Sequence, residues 1–137
     1  MGAKEECGVI ACVLKNKSIR ISSVLYNMLS SLQHRGQTSS GFSVYSPMFQ
    51  NPIKSLKSVG KVSNLFKLWD KSQFDKILSE NCGKSGIGHV RYATSNVSDD
   101  SSLSLDEAQP FVRKHGRPWK RFALTFNGHL TNYDFLK

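Results

Sequence analysis

The chain has little cysteine, and its thiols form no framework. Its 137 residues contain only Cys7, Cys12 and Cys82, an odd set without the paired spacing of a disulfide scaffold or a zinc site. No apolar stretch approaches the roughly 20 residues that cross a bilayer, and residues 9–14 are too few for a signal-peptide core. These absences predict one domain in a reducing cytoplasm, without a membrane partner.

Acidic residues are also scarce, with 10 Asp and Glu against 19 Lys and Arg, for a net charge of +9. Such an excess of positive charge can bind a polyanionic partner such as nucleic acid. The lysines between residues 54 and 84 are scattered, however, and the chain has no GxxxxGK[ST] phosphate loop. We interpret the charge as a solvated basic surface and expect no nucleic-acid partner. The four histidines show no metal-ligand spacing, and His89 is interpreted as a structural residue.

Hydrophobic periodicity predicts strands alternating with helices. The helix over residues 21–33 has the clearest pattern, because Ile21, Leu25 and Leu29 recur on one face. Further helices are predicted over residues 62–69 and 73–78, and strands over residues 7–14 (buried), 41–46, 54–59, 85–92 and 121–126. Residues 95–106 are polar and predict a surface loop, whereas residues 131–137 begin like a helix and stop within about two turns. This order favours an α+β fold of layered sheets and helices, cut short at its end.

Cys7 is the first candidate for chemistry. A cysteine this close to the start could become the first residue of a mature chain, and its own α-amine, which titrates near pH ~8, could then take the thiol proton. That mechanism requires removal of residues 1–6. Taken alone, Cys7 is more readily explained as a small core residue of a strand.

Three later segments carry groups that suit an amino-acid amide substrate. Asn127 and Gly128 could donate two hydrogen bonds to an oxyanion, although Asn-Gly is also the strongest hairpin-turn signal. Arg91 could bind a carboxylate through its fork of N–H groups, or form an ordinary surface ion pair. Arg35 could brace an active-site loop beside Gly36, or simply cap a helix C-terminus.

Read jointly, these segments resemble the class II glutamine amidotransferases, a group of N-terminal-nucleophile hydrolases, and within them the glutaminase domain of amidophosphoribosyltransferases. The motifs occur in family order and cover essentially the whole chain. They are Glu6-Cys7-Gly8-Val9, Leu32-Gln33-His34-Arg35-Gly36-Gln37, Gly88-His89-Val90-Arg91-Tyr92-Ala93-Thr94, Ala108-Gln109-Pro110-Phe111 and Asn127-Gly128-His129-Leu130-Thr131-Asn132.

The resemblance implies an αββα sandwich, with two antiparallel sheets between helix layers. The implied roles are Cys7 as nucleophile with its freed amine as base, Asn127 and Gly128 as oxyanion hole, Arg91 with Tyr92 and Thr94 around the glutamine carboxylate, and Arg35 and Gly36 as supports. It also implies a propeptide over residues 1–6 and a glutaminase domain over residues 7–137. That domain is expected to be truncated, because the family's downstream Ser-Asp motif does not follow.

The function expected from the resemblance is hydrolysis of glutamine to glutamate and ammonia through a cysteinyl thioester. A synthase domain or subunit would pass the ammonia to phosphoribosyl pyrophosphate in the first step of purine biosynthesis. No cofactor is expected for this half, Mg²⁺ is expected only for the absent phosphoribosyltransferase domain, and the full-length protein is expected to be a homo-oligomer. The alternatives are a non-catalytic remnant or interaction module, or another class II amidotransferase of the glutamate synthase or amino-sugar synthase type.

Overall fold

Six strands and three α-helices form the described part of the chain. The computed structural model describes residues 6–16, 18–48, 50–92, 105–128, 132 and 135. The elements are, in order, β1 (Gly8–Val13), α1 (Ile21–Ser31), β2 (Ser39–Tyr45), β3 (Ile53–Val59), α2 (Val62–Leu65), α3 (Lys71–Glu80), β4 (Ser85–Arg91), β5 (Phe111–Arg113) and β6 (Phe122–Leu124). Short 3-10 turns cover Gln33–Arg35, Leu105–Glu107 and Pro118–Lys120.

The strands form two antiparallel sheets. The larger has the order β1-β4-β2-β3, and β5 and β6 form the smaller. Gly88 of β4 lies between Ile10 of β1 and Phe42 of β2 across this sheet. Since the chain pairs its first strand with its fourth, this register brings the start of β1 beside the end of β4.

One face of the larger sheet is covered by helices. Ile21, Leu25 and Leu29 of α1 are fully buried, and α1 packs on β1 and β4. A Cβ at Gly86 would lie 2.7 Å from the Leu25 Cδ1 atom, so glycine there permits the close packing of α1 on β4. The helical periodicity in the sequence therefore marks the face that builds the core.

Aromatic packing and capping attach the other two helices. The Phe66 ring, just after α2, stacks on Phe42 of β2 with centroids 5.2 Å apart. Asp70 caps α3 by accepting a hydrogen bond from the Gln73 N–H at 3.1 Å. The buried Ser22 hydroxyl donates to the Leu78 carbonyl at 2.8 Å and ties α1 to α3.

Residues 105–128 lie over the other face of the larger sheet. The carbonyl of Gln109 comes so close to Gly41 of β2 that no Cβ would fit between them. The Lys57 ammonium of β3 sits 5.6 Å from the Phe111 ring centroid. The described residues thus form a helix layer and two sheets, which confirms the predicted mixed fold with antiparallel sheets.

Several predicted boundaries were wrong. The strand predicted over residues 7–14 is not buried along its length: its residues alternate between covered and exposed, and Val13 is 78% exposed. β5 was missed, and its partner β6 is shorter than the predicted strand over residues 121–126. The predicted loop over residues 95–106 and helix over residues 131–137 fall mostly outside the described residues. No described helix has the length and apolar character needed to cross a membrane.

Candidate active site

The Cys7 sulfur lies against the backbone at the end of β4. The Tyr92 N–H donates to the Cys7 Sγ at 3.3 Å, and the same sulfur is 3.6 Å from the Tyr92 carbonyl oxygen. The antiparallel register brings this contact close, since Gly8 pairs with Val90 and Cys7, just before β1, therefore lies beside the end of β4, one residue before Tyr92. The thiol is half-buried, so it is positioned by backbone groups yet remains reachable by a small molecule.

Two side chains from distant motifs converge on the Cys7 carbonyl. The Arg35 Nε donates to this oxygen at 3.2 Å, and the Asn127 Nδ2 donates to it at 2.9 Å. A carboxamide nitrogen carries two N–H groups. Asn127 can therefore hold the start of β1 with one N–H and offer the second to a bound oxyanion.

Gly36 brings the turn after α1 against the end of β4. A Cβ at Gly36 would lie 2.5 Å from the Arg91 carbonyl carbon and 2.9 Å from the Tyr92 nitrogen. A residue with a side chain would push away the amide that contacts the Cys7 sulfur. The turn is also fixed by Gln33, whose side chain donates to the Gly36 carbonyl at 2.6 Å and accepts from the Val62 N–H at 2.7 Å.

Arg91 is ion-paired within the chain. Its Nη1 lies 2.6 Å from the Glu107 carboxylate, and the exposed fractions of the two side chains are 26% and 58%. The guanidinium that is predicted to bind a substrate carboxylate thus binds the Glu107 carboxylate in this structure. Since Glu107 is the more exposed partner and sits on a short 3-10 turn, an incoming carboxylate has room to compete with it.

His89 is fully buried in β4, two residues before Arg91. Burial lowers the pKa of His89 to about 4, a nearby Phe126 backbone group opposes this shift, and the Arg91 charge adds to it. Among the described residues, neither ring nitrogen makes a well-aligned hydrogen bond, so burial outweighs the Phe126 contact. His89 is neutral at pH 7 and is unsuited to pairing with a carboxylate.

We predict that His89 makes stability fall in mild acid. Its pKa is about 4 when folded and about 6.5 when unfolded, so between these values the unfolded chain binds the extra proton. The unfolding free energy should have its full value above about pH 6.5 and should decrease by roughly 3 kcal/mol as the pH falls to about 4. Urea unfolding of the chain and of His89→Gln at several pH values measures this.

The exposed His34 provides a matched control, because His34→Gln should keep the parent's pH slope. If the unfolding free energy changed with pH equally in the parent and in His89→Gln, the prediction would be contradicted. If His89→Gln does not fold, NMR titration of the His89 ring in the parent tests the same pKa.

The predicted site residues fall into three groups. The structure brings together Cys7, Arg35, Tyr92 and Asn127, with Gly36 packed beside them. Arg91 lies next to this cluster but points to Glu107, and Gly128 directly follows Asn127 and is exposed. Thr94 lies outside the described residues. Their catalytic roles remain predictions.

Sequence reasoning missed Gln33 and Glu107 as contributors. Gln33 lies two residues before Arg35 in the same motif, and this position could have indicated its role. Nothing local in the sequence pairs Glu107 with Arg91.

A second concave surface, away from this cluster, is lined by several basic side chains. An open groove of about 1380 Å³ lies beside β3 and β5, and it is lined by none of the predicted site residues. Its charged lining residues are Lys54, Lys57, Glu80, Arg113, Lys114 and Arg121. Burial lowers the pKa of Lys57, with Asp106 opposing the shift. The groove contains no cysteine, so the predicted thiol chemistry belongs to the cluster around Cys7.

Comparison with known proteins finds similarity to amidophosphoribosyltransferases in both sequence and fold. No protein-family model matches the chain. It is 34% identical over 134 residues to amidophosphoribosyltransferase 1, chloroplastic, of Arabidopsis thaliana, covering 98% of the chain and 20% of that protein. It is 33% identical over 137 residues to the Homo sapiens amidophosphoribosyltransferase, covering 96% of the chain and 24% of that protein.

Solved structures agree with the sequence comparison. The glutamine phosphoribosylpyrophosphate amidotransferase from B. subtilis, complexed with ADP and GMP, superimposes with a TM-score of 0.64 at 27% identity, covering 95% of this chain and 23% of that one. The chain thus spans between a fifth and a quarter of the length of these relatives. By sequence and by fold, the chain is similar over nearly its whole length to a part of these amidophosphoribosyltransferases.

Proposed function

We propose that this chain hydrolyses glutamine to glutamate and ammonia through a thioester on Cys7. The observation that carries the proposal is the convergence on Cys7 of groups from distant motifs: the Tyr92 N–H on its sulfur, and the Arg35 and Asn127 side chains on its carbonyl. A merely structural strand cysteine needs none of these contacts. The family of its relatives supports the same chemistry.

The proposed reaction starts with removal of residues 1–6, which frees the Cys7 α-amine. The amine takes the thiol proton, and the sulfur attacks the amide carbon of glutamine. The second N–H of Asn127 and the backbone N–H of Gly128 stabilise the oxyanion. The amine returns the proton to the leaving ammonia, and water then cleaves the thioester to release glutamate.

Substrate binding falls to Arg91 in this proposal. Its guanidinium would exchange the Glu107 carboxylate for the α-carboxylate of glutamine, since both ligands offer the same pair of oxygens. Tyr92 and Thr94 would flank that contact. Arg35 and Gly36 would support the turn against which the end of β4 is packed.

We further propose how the chain fits into a longer protein. Residues 1–6 would be a propeptide and residues from Cys7 onward the glutaminase domain, passing ammonia to a synthase domain or subunit that acts on phosphoribosyl pyrophosphate. Thiol chemistry needs no cofactor, and Mg²⁺ would serve only that synthase part. Among the described residues no group of three or more His, Cys, Asp or Glu converges to hold a metal ion. A homo-oligomer in the cytoplasm is the proposed setting.

Intact mass and product release together test the proposal. The purified protein should lack residues 1–6 by mass spectrometry, and it should release equal amounts of glutamate and ammonia from glutamine. Brief incubation with glutamine followed by acid quench should trap a glutamyl adduct on the peptide that starts at Cys7.

Retention of residues 1–6, with neither adduct nor ammonia, would overturn the proposal and favour the non-catalytic interaction module. The full-length protein could also release ammonia without stimulation by phosphoribosyl pyrophosphate. That result would support the glutaminase activity and contradict phosphoribosyl pyrophosphate as the proposed ammonia acceptor.

A further inference from the structure

The segment around Gln109 is anchored in the fold but has no part in the chemistry above. Ala108 and Pro110 on either side are fully buried. The Gln109 backbone carbonyl packs directly on Gly41 of β2, where a Cβ would not fit. The backbone of Gln109 therefore has little freedom relative to the larger sheet, and its side chain is a fixed support for whatever it contacts.

That side chain contacts both backbone polar groups of Phe126. The Gln109 Oε1 accepts from the Phe126 N–H at 2.6 Å, and the Gln109 Nε2 donates to the Phe126 carbonyl at 3.0 Å. β6 ends at Leu124, so Phe126 lies beyond the ladder of the small sheet. The carboxamide pairs with it as a neighbouring strand would.

Phe126 immediately precedes the residues proposed to stabilise the oxyanion. Its carbonyl belongs to the peptide plane shared with Asn127, so a hydrogen bond to that oxygen fixes how the plane is turned. The Asn127 side chain then reaches the Cys7 carbonyl at 2.9 Å. Gln109 thus holds the backbone of Phe126, and the Asn127 side chain that follows it contacts Cys7.

We propose that Gln109 is a positioning residue, which sets the orientation of Asn127 and Gly128 toward the carbonyl attacked by Cys7. The inference rests on the proposed glutaminase function. Gln109 acts through Phe126, so its loss should affect the oxyanion and leave the carboxylate contact of Arg91 unchanged. The predicted signature is a fall in kcat with little change in KM.

The test compares Gln109→Met with Gln109→Glu in the protein that carries this chain. Methionine keeps the length of the side chain and removes both hydrogen bonds, so kcat for glutamine should fall about 10- to 100-fold, with KM within about threefold. Glutamate keeps an acceptor for the Phe126 N–H and loses the donor, so its kcat should be intermediate. Gln73→Met on α3 is the matched control, and its kcat should equal that of the parent.

Amide hydrogen exchange by NMR provides a readout that needs no activity. Exchange at Phe126 should be about 3- to 10-fold faster in Gln109→Met than in the parent, while amides in the core of α1 exchange at the parent rate. Unchanged Phe126 exchange, or a rise in KM at constant kcat, would overturn the proposal. If the parent itself does not hydrolyse glutamine, the proposed function fails, yet the exchange result still decides whether Gln109 positions Phe126.

Discussion

Replacing Cys7 with alanine is expected to abolish glutamine hydrolysis in the protein that carries this chain. Alanine removes the proposed nucleophile, and the Tyr92 N–H then has no sulfur to contact. When the nucleophile is lost, only substrate binding and the oxyanion donors still contribute to catalysis. The kcat for glutamine hydrolysis should therefore fall by at least about a thousandfold. Ammonia release at saturating glutamine measures the effect.

The other two thiols are matched controls for this substitution. Cys12 lies within β1 and packs partly against the core, and Cys82 is exposed with its sulfur 2.8 Å from the Ser79 carbonyl. Neither thiol contacts the cluster around Cys7, so Cys12→Ala and Cys82→Ala should keep most of the activity. If Cys82→Ala lost activity as fully as Cys7→Ala while remaining folded, the nucleophile would be misassigned.

Replacing Arg91 with lysine should raise the KM for glutamine by roughly one to two orders of magnitude. Lysine keeps the positive charge but loses the planar fork that holds two carboxylate oxygens. A charge-assisted hydrogen bond of this kind contributes about 1.5–3 kcal/mol. Because the lost contact binds substrate and transition state alike, kcat should change little. Steady-state kinetics across a wide range of glutamine concentration checks the prediction.

Glu107→Gln is the informative companion to Arg91→Lys. Glu107 is 58% exposed, and the wild-type pair with Arg91 is worth about 0–1 kcal/mol at most. Freeing the guanidinium should lower the KM for glutamine by no more than about fivefold, in the direction opposite to Arg91→Lys. A KM that does not respond to either substitution would mean that Arg91 does not bind the substrate carboxylate.

The elements with strong local patterns could be predicted from the sequence. The periodicity of Ile21, Leu25 and Leu29 located α1, and the Gly-rich apolar stretch before Arg91 located β4 to within a residue. β5 could not be found in this way, because its three residues become a strand only by pairing with β6. The exposure pattern of β1 likewise depends on its position at the edge of the sheet.

The residues of the candidate site could be predicted from the sequence, but the geometry of their contacts could not. The motifs around Cys7, Arg35, Arg91 and Asn127 were recognised together, yet their hydrogen bonds depend on how two sheets and a turn meet. No local pattern indicates that Asn127 contacts the Cys7 carbonyl, or that Glu107 forms an ion pair with Arg91. Such contacts join residues 16 to 120 positions apart, beyond the reach of any local pattern.

The two hydrogen bonds on the Cys7 carbonyl have a consequence for the maturation proposed above. Chain termini usually fray unless they are tied to the rest of the fold. Cutting the Glu6–Cys7 bond would remove the ion pair between Glu6 and Arg35, but the Cys7 carbonyl lies on the retained side of the cut. Arg35 and Asn127 would go on holding it. The newly exposed amine would therefore start from an anchored end, close to its own thiol from the moment of cleavage.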